Sequence, residues 1–192
     1  MDAGSARDRV RLLIDREDTA YLSNGDVDGF VVMAIEEFVQ QYYGGFEVTQ
    51  DNREKLAKLV DAKDITISDS VPYALSGITD YYRLLSAQLS ASPFANVKVI
   101  QISDLSAYTN DPFNKADADN PVIYLSGDKI NSLGLSGTTT MSIKYLKYAD
   151  AIADLAVETH EEVCQIAARK VLATLGDPRY QILQAELTER RV

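Results

Sequence analysis

Apolar residues recur at helical spacing between Val27 and Tyr42, which predicts the longest helix of the chain. Ser23 stands before this stripe as a predicted N-cap, and Asp26, three residues later, completes a capping box. The stripe follows the spacing of an amphipathic helix over four turns and consists of Val27, Phe30, Val31, Ala34, Ile35, Phe38, Val39 and Tyr42.

Two shorter helices are predicted on either side of this one. Ser5 is the predicted cap of a first helix, whose apolar side carries Val10, Leu13 and Ile14. Gly44 and Gly45 end the long helix. Asp51 and Glu54 then predict an acidic capping box for a short third helix, with Leu56, Leu59 and Val60 on its apolar side.

From Asp64 onwards the apolar pattern changes from a period of 3.6 to a period of 2, which is typical of strands. A helical turn is predicted at residues 104–108, and the sequence Asn110-Asp111-Pro112-Phe113 has the composition of a turn. Six short strands are predicted, at residues 65–67, 81–92, 97–102, 121–125, 129–133 and 138–146.

Helical signals return in the last part of the chain. Thr159 and Glu162 predict a capping box, and an apolar stripe follows with Val163, Ile166, Ala167 and Val171. Gly176 is the expected left-handed residue after this helix. Asp177 and Pro178 then predict the start of a second piece, whose apolar face carries Tyr180, Leu183 and Leu187.

The order of elements predicts an α+β fold. We expect a helical scaffold, made of an N-terminal helix pair and long C-terminal helices, with an inserted small antiparallel β-sheet. The expected parts are residues 1–62 for the N-terminal helices, 63–148 for the inserted sheet region and 149–192 for the C-terminal helices and tail. The two helical parts are expected to pack as one domain.

Composition narrows the functional classes. The chain has 192 residues, 46% of them hydrophobic, which suffices for a sizeable core. No apolar run is long enough for a membrane helix, and the start of the chain lacks the pattern of a signal peptide. A single cysteine fits a reducing compartment. The net charge of −10 argues against ordinary nucleic-acid binding, which depends on lysine and arginine.

Residues 24–29 have the oxygen ligands and the glycine of an EF-hand start, but the twelfth position is Ile35 and not glutamate. The competing interpretation is the capping box of Ser23 and Asp26, which we favour. His160 and Cys164 are the only histidine and cysteine and lie four residues apart on one predicted helix face. A catalytic pair or half a zinc site would need further groups, so a structural role is favoured.

Two glycine-containing stretches, Gly127-Asp128-Lys129 and Leu135-Ser136-Gly137-Thr138, match neither a P-loop nor a nucleophile elbow and are predicted to be turns. The eleven tyrosines fit either subunit interfaces or ordinary half-buried positions, and the sequence leaves both open.

Four stretches carry a family resemblance. They are the helix pair at residues 7–13 and 27–43; Asp104-Leu105 with Asp111-Pro112-Phe113 and Asn120-Pro121-Val122; the strand at residues 142–148; and His160-Glu161-Glu162 through Ala167-Ala168 to Gly176-Asp177-Pro178-Arg179-Tyr180. In this order the chain resembles bacteriophage head-to-tail connectors, also called adaptor or neck-ring proteins. It is most similar to those of crAss-like short-tailed phages.

This resemblance implies a structural virion protein, made in the cytoplasm of the bacterial host and located in the phage neck. Such proteins form a homo-oligomeric ring, commonly of about twelve copies. The ring docks beneath the portal protein, receives a neighbouring ring or tail protein, and surrounds the channel through which the genome is ejected. No enzymatic activity, cofactor, metal or membrane contact is implied.

Carried over position by position, the resemblance makes residues 178–192 the segment that reaches the portal. Tyr180, Leu183 and Leu187 would be its apolar anchors, and Arg190 and Arg191 its polar contacts. The acidic balance would let DNA pass through the channel without specific binding, because negative walls repel phosphates.

Two other functions fit the sequence. A non-enzymatic protein-binding module, monomeric or dimeric, would be favoured if the C-terminal segment folded back onto the core. An enzyme could place Asp26, Asp28 and either Glu36 or Glu37 around a divalent metal, in which case the metal would stabilise the fold.

Overall fold

The structure is a computed structural model that describes residues 1–14, 22–46, 48–90 and 96–189. It divides into two compact units: a helical unit, Met1–Leu59 with Ala149–Val192, and a sheet unit, Val60–Tyr148. One α-helix, α4, belongs to the sheet unit. The α-helices are α1 (Ala3–Leu13), α2 (Asn24–Tyr43), α3 (Gln50–Leu56), α4 (Leu105–Asn110), α5 (His160–Thr174) and α6 (Tyr180–Glu189).

The predicted cap of α2 is confirmed, and so is its stripe except at Phe30, which is only half-buried. The Ser23 hydroxyl accepts a hydrogen bond from the Asp26 amide at 3.2 Å, and the Asp26 carboxylate accepts from the Ser23 amide at 3.0 Å. This box fixes the first turn, so the stripe behind it faces the core. The buried apolar residues of α2 are Val27, Val31, Ala34, Ile35, Phe38, Val39 and Tyr42.

The helices before and after α2 begin differently from the prediction. The N-cap of α1 is Asp2 and not Ser5, since the Asp2 carboxylate accepts the Ser5 amide at 2.8 Å. A carboxylate is favoured there because it meets the positive end of the helix dipole. In α3 the predicted box at Asp51 is wrong: Thr49 is the N-cap without a side-chain bond, and the Glu54 carboxylate accepts from the side-chain NH₂ group of Gln50 at 2.9 Å instead.

The predicted capping box of α5 is also wrong. Thr159 ends a 3₁₀ turn, Val157–Thr159, and its φ and ψ of −90° and −12° are helical, whereas an N-cap residue is extended. Its hydroxyl donates to the Ala156 carbonyl at 2.7 Å. Glu162 instead accepts a hydrogen bond from the Tyr42 hydroxyl at 2.6 Å. The glutamate therefore links α5 to α2 rather than closing its own helix.

The predicted end of α5 is confirmed. Gly176 has a φ of +68°, the left-handed conformation that glycine adopts without steric cost. The Asp177 amide donates to the Leu172 carbonyl and the Gly176 amide to the Ala173 carbonyl, which is the Schellman motif. The Asp177 carboxylate then accepts the Arg179 amide at 3.0 Å, just before α6 begins.

The sheet unit contains seven strands in the order β1-β7-β3-β4-β5-β6-β2. β4 and β5 pair in parallel, and the other neighbouring pairs are antiparallel. β1 and β2 approach one another, so the sheet is a nearly closed barrel. The strands are β1 (Val60–Ile67), β2 (Tyr73–Ala74), β3 (Tyr81–Leu89), β4 (Asn96–Ile100), β5 (Val122–Ser126), β6 (Lys129–Leu133) and β7 (Thr139–Lys147).

The predicted fold class, a helical scaffold with an inserted small antiparallel sheet, is therefore wrong. The sheet is mixed, has seven strands and forms a compact unit of its own. The local patterns revealed the strands, but the pairings join distant parts of the chain, as where Val60 lies opposite Leu146. The parallel pair also requires a crossover connection, which residues 101–121 supply. The sequence had indicated only a helical turn and a loop there.

Strands β4 to β6 bury apolar side chains on both faces, because successive side chains point to opposite sides. On one face, Val97, Ile123 and Ile130 belong to the larger core of the barrel. On the other face, Ile100 and Val122 form a smaller cluster, against which crossover residues pack. The crossover thus covers the outer face of these strands.

Gly134 fixes the crossover to the sheet. Its φ is +92°, and a Cβ atom there would lie 2.7 Å from both the amide nitrogen and the carbonyl oxygen of Asp117. The Asp69 carboxylate holds the same loop, since it accepts hydrogen bonds from the amides of Gly134 and Leu135 at 2.8 and 3.2 Å. The loop after β6 can therefore approach the crossover backbone only with glycine at this position.

We predict that Gly134→Ala lowers the melting temperature of the sheet unit more than Gly127→Ala does. Gly127 is the matched control, since its φ of +61° is also left-handed but nothing lies within 4 Å of the added Cβ. The control has only the strain of a left-handed backbone, which costs about 1–2 kcal/mol. In a domain of this size, each kcal/mol lowers the melting temperature by roughly 4–8 °C. Thermal melts followed by circular dichroism measure both variants, and equal melting temperatures would contradict the proposed close approach.

Candidate functional site

His160 and Cys164 lie side by side in the core of the helical unit, as their spacing predicted. His160 is 3% exposed, and its Nε2 donates to the Leu155 carbonyl at 3.2 Å. Its Nδ1 accepts from the Met1 amine at 3.0 Å, and the Cys164 sulfur lies 3.8 Å from that of Met1. With Nδ1 in this contact and the thiol buried, the two residues pack Met1, which precedes α1, against α5.

The electrostatic surroundings of Cys164 disfavour a nucleophile. Burial, with a smaller contribution from the neighbouring Glu161 carboxylate, raises the pKa of the thiol to about 11. A reactive cysteine needs the opposite, a lowered pKa and access for a substrate. The arrangement supports the structural interpretation of this residue.

The carboxylates weighed as metal ligands each have a different partner. Asp26 closes the capping box of α2, and Asp28 lies 2.8 Å from the Arg7 side chain. Glu37 binds Arg169 at 2.5 Å and Lys170 at 2.8 Å. Within the part of the chain that the structure describes, no group of three potential ligands could hold a metal ion. The residues of the EF-hand-like stretch lie in the first turns of α2 instead of a calcium loop.

Charged and polar contacts join α5 to the helices around it. Near its beginning, Glu161 makes a two-pronged contact with Arg9 at 2.5 and 2.8 Å. Glu162 accepts from Tyr42, and the Tyr42 hydroxyl in turn accepts from Lys55 at 3.0 Å. Burial and the Glu162 carboxylate raise the pKa of Tyr42, so this hydroxyl stays protonated as a donor.

The predicted interface residues fall on and beyond α6. Tyr180, Leu183 and Leu187 are residues of this helix, whereas Arg190 and Arg191 lie outside the described residues. α6 folds back along α5, where Gln184 accepts a hydrogen bond from Arg169 at 2.7 Å. The same Arg169 binds Glu37, so one side chain connects α2, α5 and α6.

Several large apolar side chains of the helical unit remain exposed after its core is formed. On α2, Val32 and Met33 are adjacent and are 37% and 50% exposed. Ile182 on α6 is 61% exposed. Single exposed apolar residues are common on protein surfaces, whereas contiguous exposed apolar patches mark interaction sites. The others among the described residues of this unit are Met1, Leu12, Val48, Val157 and Leu175.

The crossover of the sheet unit presents an aromatic ring to solvent. Asp111 to Asn114 form a turn, in which the Asp111 carboxylate accepts from the Phe113 amide at 2.9 Å and from the Asn114 side chain at 2.7 Å. These donors lower the pKa of Asp111. Phe113 is 94% exposed at the tip of this turn.

Beside Phe113 lies a hollow of about 640 Å³. It is bounded by the crossover on one side and by the first residues of β4 and β5 on the other. Its lining is largely polar and includes Asn96, Lys98 and Asn120. Its size is within the range of small-molecule sites.

The two glycine-containing stretches lie between strands, and the tyrosines differ in their exposure. Gly127 is left-handed in the β5–β6 hairpin, so the first stretch is a turn as predicted. The second stretch, in which Gly137 has a φ of +97°, is an irregular loop between β6 and β7. Tyr42 and Tyr145 are buried, whereas Tyr148 is 39% exposed and packs against Tyr82 with ring centroids 5.9 Å apart. An interface role for the exposed tyrosines stays a prediction.

The sequence did not single out the residues around the hollow as a site. The dipeptide Pro112-Phe113 within a turn was the available signal, because an aromatic residue at a turn tip has little local surface to pack against. The neighbours Asn96 and Asn120 lie in separate segments, which the parallel pairing of β4 with β5 brings together.

Among the described residues, no helix is both long enough and apolar enough to cross a membrane. A scan of the chain against protein-family models gives no match, and a search of the curated proteins gives none either.

We predict that Cys164 reacts slowly with a thiol reagent in the folded protein at pH 8. A pKa of about 11, raised from 9.0, lowers the thiolate fraction about 100-fold, and burial lowers access further. Absorbance after addition of dithiobis-nitrobenzoate measures the rate, with the same protein unfolded in denaturant as control. Equal rates in the two states would show that the thiol is accessible and not held in the core.

Proposed function

We propose that this protein is a structural component of a bacteriophage virion. It forms a ring of about twelve copies in the phage neck, joins the portal protein to a neighbouring ring or tail protein, and surrounds the channel through which DNA leaves. It performs no catalysis. The four stretches that resemble head-to-tail connectors are the starting point of this proposal.

The observation that carries the proposal is the exposed apolar surface on the helical unit. Val32 and Met33 lie on the side of α2 that does not face the core, and Ile182 lies on α6. When a second subunit covers large apolar side chains, they leave water, and this lowers the free energy of the assembly. Subunit contacts in a closed ring would supply such cover.

The second support is that the chemistry-bearing residues singled out by the sequence have structural partners. His160 and Cys164 are in the core, and Glu37 is in ion pairs between helices. A function is argued from its site rather than from its fold, and these sites support scaffolding. The portal contacts proposed from the resemblance are Tyr180, Leu183 and Leu187 on α6, with Arg190 and Arg191 beyond the described residues.

The third support is electrostatic. A net charge of −10 per chain is multiplied in a ring. A ring of acidic subunits repels the phosphates of DNA, which lets a genome pass without adhering to the wall.

A protein-binding module, acting as a monomer or dimer, is the second candidate. It is favoured by one observation: α6 folds back along α5 and is joined to it by the Arg169–Gln184 hydrogen bond. A segment held by its own unit is less available to a portal than one that projects from it.

We predict that Ile182→Asp weakens assembly of the ring without unfolding the subunit. Ile182 is 61% exposed, so the added carboxylate costs the monomer little, whereas it is costly inside an apolar contact. Gln181→Asp is the matched control, because it adds the same charge at an exposed neighbouring position on α6. Sedimentation velocity, alone and with purified portal protein, measures assembly. Equal effects of the two substitutions would contradict a specific apolar contact at Ile182.

Deletion of residues 177–192 separates the two candidate functions. The ring proposal expects a chain that keeps its helical circular dichroism and its cooperative melt but no longer assembles with the portal. An insoluble or unfolded product would place α6 within the core of the subunit and would favour the binding module.

A further inference from the structure

We propose that the hollow beside Phe113 in the sheet unit is a binding site for a saccharide. This inference is independent of the proposed role in the phage neck, since it rests on the crossover of the sheet unit alone. Three properties of the hollow carry it: an exposed aromatic platform, a lining that both donates and accepts hydrogen bonds, and a rigid frame.

Phe113 supplies the platform. The ring is 94% exposed, yet its backbone is fixed by the Asp111 carboxylate, which accepts the Phe113 amide, and by the Asn114 amide, which donates to the Asp111 carbonyl at 3.2 Å. A sugar ring presents an apolar C–H face that stacks on an aromatic ring, as other apolar groups do. Because the turn already holds the Phe113 backbone in place, little backbone freedom is lost on binding.

The polar lining provides both donors and acceptors. Asn96 accepts from the Gln88 side chain through its oxygen, which leaves its NH₂ group as the donor toward a ligand. Asn120 adds an amide that carries both a donor and an acceptor. A sugar hydroxyl also donates and accepts at once, so such a mixed set matches a polyhydroxylated ligand.

The charged residues of the lining carry both signs. Lys98 and Lys115 line the hollow together with Asp117. One Asp117 oxygen accepts the amides of Asp119 and Asn120 at 3.1 and 2.9 Å, and the other oxygen remains as an acceptor. A sugar hydroxyl can donate to this carboxylate and accept from a lysine, so the mixed set suits a polyhydroxylated ligand.

The frame of the hollow is held from several sides. The Lys98 side chain donates to the Tyr108 hydroxyl across it. The Ala116 amide donates to the Tyr108 carbonyl at 3.0 Å, and the Gly134 loop packs against Asp117. Platform and amides are therefore kept in a fixed relation, as a site for a small ligand requires.

The test is saturation-transfer NMR on the full chain with four neutral probes: chitotriose, maltotriose, cellotriose and mannotriose. This readout follows the ligand, so it works whether or not the protein assembles. We expect transfer to at least one trisaccharide at millimolar concentration, the range of weak single-site binding. Phe113→Ala should raise the dissociation constant of that trisaccharide at least about tenfold, which equals about 1.4 kcal/mol.

Asn120→Ala is the second variant and should weaken binding through loss of the amide. Ile102→Ala is the matched control, since Ile102 is an exposed apolar residue of the same crossover that does not line the hollow. Circular dichroism checks that all three variants are folded. Transfer to none of the four probes would overturn the proposal, as would binding that both Phe113→Ala and Asn120→Ala leave unchanged.

Discussion

The helical unit depends on the burial of α5. Most of this helix lies in the core, including Val163, Ile166 and Val171, and α1, α2 and α6 all pack against it. Its polar residues are placed so that burial does not leave them unpaired: the glutamates near its start bind Arg9 and Tyr42, and the basic pair near its end, Arg169 and Lys170, binds Glu37. The negative charge of Glu161 and Glu162 in the first turn of α5 also agrees with the helix dipole. These ion pairs are partly exposed, so each stabilises the unit modestly, but together they join α5 to α1 and α2.

The helical elements could be predicted where the signal was local. The α2 stripe with its Ser23 cap and the glycine end of α5 involve residues within a few turns of one another, and both are present. The Thr159 box failed because the same hydroxyl could satisfy the preceding turn, and the 3₁₀ conformation placed it there. The size and the pairing of the sheet were predicted incorrectly for a different reason. The strands were visible, but their parallel pairing depends on a crossover whose path is set by packing against β4 to β6, which periodicity does not encode.

The candidate sites also include some features that local sequence patterns predict and others that depend on the folded chain. The sequence placed His160 and Cys164 on one helix face, but only burial and the raised pKa of the thiol decide between chemistry and packing. The portal contacts on α6 came from a family resemblance and stay a prediction. The Phe113 hollow could not be found from spacing, since its walls come from β4, β5 and the crossover. Exposure of the aromatic ring is a property of the folded chain.

The central claim is that exposed apolar residues of the helical unit are covered by further copies of the same chain. Native mass spectrometry of the purified protein, alone and mixed with the portal protein, tests this claim most directly. The account predicts a closed ring with a mass of about twelve subunits, each of 21.2 kDa, in at least the portal-containing sample. A 21.2 kDa species in both samples would contradict it.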